Sequence, residues 1–137
     1  MKSELIVQAE FGDTDPAQIV FYPHFFRWFD ASAWHLFLKA GLTMDGLRDD
    51  FGLNGLPIVE ANSKFISPVR FTETLEITSY VGTWNRKTFD VVHEVRKDGD
   101  LCAEGFERRV CAQMNDDGSM RAIEIPDDIR NRLSGEG

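Results

Sequence analysis

Positive charge is scarce in this chain. Its 137 residues carry 15 Lys and Arg against 23 Asp and Glu, a formal charge of −8. That balance excludes a nucleic-acid binder, which needs a basic surface for phosphate contacts. It also argues against docking on anionic lipid. A small anionic ligand stays open, because a local basic cluster can sit in an acidic protein. Long apolar runs are lacking too. None approaches the roughly 20 residues that span a bilayer, and Glu4 and Glu10 interrupt the first residues before any signal-like stretch. The expectation is a soluble, cytoplasmic protein with no membrane partner. Cysteine is limited to Cys102 and Cys111. On one predicted strand, nine residues apart, they stand about 30 Å from each other and cannot bridge. There is no G-x-S-x-G elbow, P-loop, G-x-G-x-x-G or H-E-x-x-H, and the three histidines are scattered. No metal or cofactor is expected.

What is present supports a packed core. Hydrophobic residues make up 42% of the chain, 11 of them Phe, and the length suits one domain over 1–137. Residues 4–11 read as a strand. Asp13 to Gln18 is punctuated for a turn. A long helix is predicted from Pro23 to Ala40, with Pro at its start and Gly41 just past its end. A weaker helix covers Asp45 to Asp50. Period-two alternation then marks strands at 57–67, 74–84, 87–97 and 101–114. A hairpin turn falls at Lys97-Asp98-Gly99-Asp100, and a last strand at 119–125. Pro126 opens a short helix, and 134–137 reads as a frayed tail. The order predicts an α+β fold in which an antiparallel sheet of five or six strands wraps one long helix.

At 100° steps, Phe25, Phe26, Phe29, Ala33, Leu36 and Phe37 fill one broad arc of the long helix, and His24, Ser32, His35 and Lys39 fill the opposite side. Asp30 falls at the edge of the apolar arc, where a carboxylate must be exposed, paired or raised in pKa. The three Trp read as core or interface residues. His35 and His93 read as structural or exposed. Arg108 and Arg109 read as surface ion-pairing residues of a strand.

The strongest local feature is Asp13-Thr14-Asp15-Pro16 ahead of the helix. It has two readings. One is a turn plus a helix cap. The other is a carboxylate beside a helix N-terminus, whose free N–H groups polarise a carbonyl while the carboxylate attacks it or activates water. The longer run FGDTDPAQIVFYPHFFRWFD, from Phe11 to Asp30, is informative. It resembles the active-site segment of the 4-hydroxybenzoyl-CoA thioesterase family, which has the hot-dog fold. The resemblance continues through Pro57 to Phe65, Trp84 to Phe89, Met114 to Asp116, and Arg121 to Pro126.

The resemblance implies hydrolysis of an aromatic acyl-CoA thioester. Asp15 matches the catalytic carboxylate, and the backbone N–H at Tyr22 matches the group that polarises the thioester carbonyl. Asp30 matches an acidic residue of the acyl pocket; Phe26 of the Phe-rich helix is a further candidate for that pocket, and His24 at the helix start reads either as a substrate contact or as a solvated surface group. Arg86, Lys87 and Arg121 match basic positions that hold CoA. One departure is Asn85, where the family pattern has a third basic residue after the Trp. The family's site lies between subunits, which implies a homodimer assembling to a homotetramer. Other readings within the fold are a thioesterase for short aliphatic or carrier-protein thioesters, and a non-catalytic acyl-CoA binder. A hydratase would need a His in the loop between Asp13 and Pro23, and none is there.

Overall fold

The computed structural model describes residues 1–135, and of the predicted tail residues 136 and 137 lie outside the described residues. Ten elements follow one another. They are strand β1 (Lys2–Gln8), a 3-10 turn (Phe11–Asp13), helices α1 (Pro23–Lys39) and α2 (Met44–Phe51), strands β2 (Ile58–Phe65), β3 (Thr74–Trp84), β4 (Thr88–Lys97), β5 (Asp100–Met114) and β6 (Met120–Ile123), and helix α3 (Asp127–Ser134). Ser134 therefore closes a helix rather than opening a frayed tail.

The sheet is antiparallel and runs β1-β3-β4-β5-β2, with β6 pairing the far end of β5. The 17-residue α1 lies on its inner face, the arrangement expected of a hot-dog fold. Pro23 starts α1 because the first-turn N–H it lacks is dispensable there. A Schellman motif ends it: Leu42 N–H reaches Phe37 O at 2.8 Å, Gly41 N–H reaches Leu38 O at 3.0 Å, and Gly41 takes φ +79°.

The core is two adjoining clusters bridged by α1. Phe25, Trp28 and Phe29 pack with Val69, Leu75, Ile77 and Val95. Ala33, Leu36 and Phe37 pack with Leu47, Phe89, Ile125 and Ile129. Ser32 is buried, so the inner face of α1 is wider than its apolar arc. Gly105, opposite His93 in the β4–β5 register, leaves the room that the Phe29 ring fills; a Cβ there would stand 2.9 Å from it.

β1 starts two residues before the predicted strand and stops three residues short of its end. Its partner β3 begins at Thr74, opposite Gln8, so no strand remains to pair with Glu10 and Phe11. The chain turns there into the 3-10 segment instead.

Candidate active site

The loop between β1 and α1 is built around two aspartates with different jobs. Asp13 is buried. One oxygen accepts the Glu10 N–H at 2.8 Å, completing a reciprocal capping box. The other meets Arg27 Nη2 at 3.2 Å and His24 Nδ1 at 3.4 Å. Its backbone carbonyl accepts Phe21 N–H at 2.8 Å. Asp13 therefore ties the loop to the first turns of α1.

Asp15 is held by a tight turn of its own. Its N–H donates to Ile19 O at 2.9 Å, and its carbonyl accepts Gln18 N–H at 2.8 Å, with Gln18 in the left-handed region at φ +66°. Pro16 presets the turn. The side chain uses only Oδ1, which accepts Ala17 N–H at 2.8 Å. Oδ2 has no protein partner among the described residues.

Asp15 and Tyr22 line one cleft of about 460 Å³, whose other walls are mostly apolar: Val20, Phe21, Phe25, Phe65, Ile66 and Val69 among them. Tyr22 is the N-cap of α1. Pro23 has no N–H. His24 N–H is taken by Phe21 O and Phe25 N–H by Tyr22 O, each at 3.1 Å. Among the described residues the Tyr22 N–H alone at this helix end has no acceptor, so the expected set of donors narrows to one. Two residues lining one apolar cleft, one with a free carboxylate oxygen and one with a free amide, supply the parts needed to attack a carbonyl and hold its oxyanion.

The other expected site residues are placed elsewhere within the subunit. His24 turns to Asp13. Phe26 stands edge-on to Phe29 and Phe65, at 5.9 and 6.4 Å. Asp30, whose side chain is 53% exposed, bonds through Oδ1 to Arg109 Nη2 at 2.8 Å. Arg86 lies in the β3–β4 turn 3.8 Å from Glu124, and both are exposed. Lys87 beside it is exposed. Arg121, on β6, bonds to Asn115 and to Gln113 Oε1, the latter at 2.8 Å. The Ile125 N–H to Arg86 O bond at 2.9 Å ties the β3–β4 turn to the segment that follows β6. Arg130 of α3 adds a cation to this region, stacked 4.9 Å over Trp84 and bonded to Asn85 O at 2.8 Å.

One sequence expectation is corrected here, and of the two open readings of His93 the structural one holds. Arg108 does pair at the surface, with Asp90 at 2.8 and 3.1 Å. Arg109 does not. Its side chain is 3% exposed and sits between Asp30 and the buried Glu107. His93 is fully buried, bonded to Ser79 and Glu107 and stacked on Phe29 with centroids 4.7 Å apart. Strand alternation was the signal for this: Glu107, Arg109 and Cys111 share one parity on β5 and so one face.

A family model described as the thioesterase-like superfamily matches residues 9–133. The chain is 38% identical over 125 residues to the 4-hydroxybenzoyl-CoA thioesterase of Pseudomonas sp. (strain CBS-3), covering 87% of this chain and 88% of that one. A variant 4-hydroxybenzoyl-CoA thioesterase crystallised with 4-hydroxybenzoyl-CoA is similar in structure, with a TM-score of 0.89 at 35% identity over 96% of this chain and 98% of that one. A gentisyl-coenzyme A thioesterase matches with a TM-score of 0.81 at 31% identity, over 97% of this chain and 100% of that one.

Proposed function

The chain belongs to the thioesterase-like superfamily, and from that premise we propose that it hydrolyses an aromatic acyl-CoA thioester. One observation carries the reading: Asp15 and Tyr22 line one apolar cleft, and among the described residues neither Asp15 Oδ2 nor the Tyr22 N–H has a partner. The thioester carbonyl lies against Tyr22 N–H, which stabilises the oxyanion. Asp15 takes a proton from water as the water oxygen attacks, or attacks the carbonyl itself. The C–S bond then breaks. In the first route the protonated Asp15 returns its proton to the CoA sulfur and the acid is released. In the second the thiolate takes a proton from solvent and a water hydrolyses the Asp15 anhydride to free the acid. Both roles of Asp15 use the same free oxygen. Recovery of ¹⁸O in Asp15 after turnover in labelled water marks the anhydride route, with water opening the anhydride at the aspartyl carbon.

The acyl pocket and the CoA site extend this reading. Asp30, Phe26 and His24 border the acyl group, while Arg86, Lys87 and Arg121 hold CoA. CoA is strongly anionic and the chain carries −8, so the overall field opposes its approach. Capture falls to those local cations.

The site is completed by a second copy. β2 is an edge strand, exposed along nearly its whole length, with Ile58, Val59 and Phe65 outward. Such an edge invites pairing. Antiparallel β2–β2 pairing about a two-fold sets the Ile58 end of one copy against the Phe65 end of the other. Ile58 is opposite Arg109, the partner of Asp30, and Phe65 lines the Asp15 cleft. Each copy thereby brings Asp30 towards the other's cleft. Exposed Phe11 and Phe71, in edge contact at 5.8 Å, offer a second apolar surface for joining dimers into a tetramer. The two free buried cysteines suit a reducing cytoplasm, and among the described residues no helix is long and apolar enough to cross a membrane.

The test is a panel of 4-hydroxybenzoyl-CoA, benzoyl-CoA and short aliphatic acyl-CoA esters, read by released thiol. Aromatic esters turn over fastest if the reading holds. Preference for aliphatic esters would move the substrate class, and binding without turnover would make the chain an acyl-CoA binder.

A further inference from the structure

A line of hydrogen bonds crosses the sheet and ends at Asp30. Ser79 on β3 lies 2.7 Å from His93 Nδ1 on β4, and His93 Nε2 lies 2.9 Å from Glu107 Oε1 on β5. The tautomer that satisfies both partners donates from Nε2–H to Glu107 and accepts the Ser79 hydroxyl at Nδ1. Arg109 Nη2 donates to Glu107 Oε2 at 3.2 Å and to Asp30 Oδ1 at 2.8 Å, and Nη1 donates to Leu56 O at 2.8 Å. Four of these five side chains are buried; Asp30 is the exposed end.

The line is poorly explained as a stabilising device. A buried ion pair recovers little beyond what it costs to desolvate, and apolar residues of similar size do as well. Arg109 Nε is buried with no partner among the described residues, a further cost. What the line does achieve is a fixed direction for one carboxylate. The Arg109 guanidinium stacks 5.3 Å from Phe37, and His93 is stacked on Phe29. The two rings that clamp it come from the same helix that carries Asp30, one just before it and one two turns on. Among the described residues Asp30 is bonded through Oδ1 only, which leaves Oδ2 as its free acceptor.

We propose that Arg109, braced from inside the sheet by Glu107 and His93, is the positioning residue of Asp30 and so sets discrimination at the polar substituent of the acyl ring. The proposal rests on the reading of Asp30 as an acyl-pocket residue. Arg109 touches Asp30 and not the reacting atoms. Its loss should therefore change which ring is preferred rather than whether the thioester is cleaved.

The readout is the ratio of kcat/KM for 4-hydroxybenzoyl-CoA to that for benzoyl-CoA. Asp30→Ala is expected to lower this ratio tenfold or more, and Arg109→Gln to lower it by a similar factor. The double variant should fall no further than either single one, since both act through the same Asp30 carboxylate. Arg109→Gln leaves the Glu107 carboxylate buried without its cation, so Glu107→Gln/Arg109→Gln, which neutralises both, is measured beside it and should show the same loss. If the arginine variants slow both substrates equally while Asp30→Ala changes the ratio, Arg109 is merely structural and the proposal fails. If Asp30→Ala leaves the ratio unchanged, the acyl-pocket reading itself fails and the proposal falls with it.

Discussion

The two aspartates of the Asp13-Thr14-Asp15 run should separate cleanly when each is removed. Asp13→Ala strips the acceptor from Glu10 N–H. A hydrogen bond to a charged group contributes about 1.5–3 kcal/mol. The Arg27 pair adds less than about 1 kcal/mol, because that side chain is 67% exposed and screened. The expected loss is about 2–3 kcal/mol, or about 10 °C in Tm at roughly 4 °C per kcal/mol for a chain this long. The Phe21 N–H to Asp13 carbonyl bond survives the substitution. The loop frame therefore persists, and kcat below the melting range should stay within about tenfold. Asp15→Asn does the reverse. Its amide oxygen still accepts Ala17 N–H, so stability should change by no more than about 0.5 kcal/mol. The group that takes the proton or attacks the carbonyl is gone, so kcat should fall by about 10²–10⁴ or more with KM within a few-fold. Thermal melts and thiol release at saturating acyl-CoA measure both. Near wild-type turnover in Asp15→Asn, or a wild-type melt in Asp13→Ala, refutes the division of labour.

Three further outcomes follow from the geometry. Neutralising Arg86 and Lys87 together, both exposed, should leave Tm unchanged and raise KM for acyl-CoA far more than it lowers kcat; an unchanged KM places the CoA site elsewhere. Gly105→Ala should cost about 3 kcal/mol in urea unfolding, because the new Cβ overlaps the Asn62 carbonyl oxygen and crowds Phe29, and a backbone oxygen cannot step aside cheaply. Burial pushes the Cys111 thiol up to about 11 and raises that of Cys102, so neither should react with a disulfide reagent at neutral pH in the native state, while two thiols should appear in denaturant.

Local chemistry made much of the fold legible. The Asp98-Gly99 hairpin turn follows from residues that tolerate positive φ, and they take +52° and +84°. The span of α1 follows from Pro23 and Gly41, and β3 from alternation alone. What could not be read was set by distant partners. The end of β1 depends on where β3 begins, 66 residues later in the chain. Ser32 looked polar by its type and is inside because sheet and helices close round α1 on more than its apolar arc.

The same division runs through the site. Asp15, Pro16 and Tyr22 lie within eight consecutive residues, so one helix start and one turn bring them together, and a contiguous motif records the result. Asp30, Ser79, His93, Glu107 and Arg109 span 80 positions and meet only because register puts Ser79 opposite His93 and His93 opposite Gly105. Their types are ordinary for a strand surface; only the inward parity of Glu107 and Arg109 beside Cys111 hints otherwise. Bond cleavage needs a carboxylate and an amide held near each other, which local structure can supply. Choice of acyl group needs a carboxylate aimed at a distant ring, and aiming requires bracing from several strands. On the role proposed for Asp30, specificity is written into sheet register, and a change that shifts β5 by one residue would turn Arg109 outward and release Asp30 without altering any residue of the Asp15 motif.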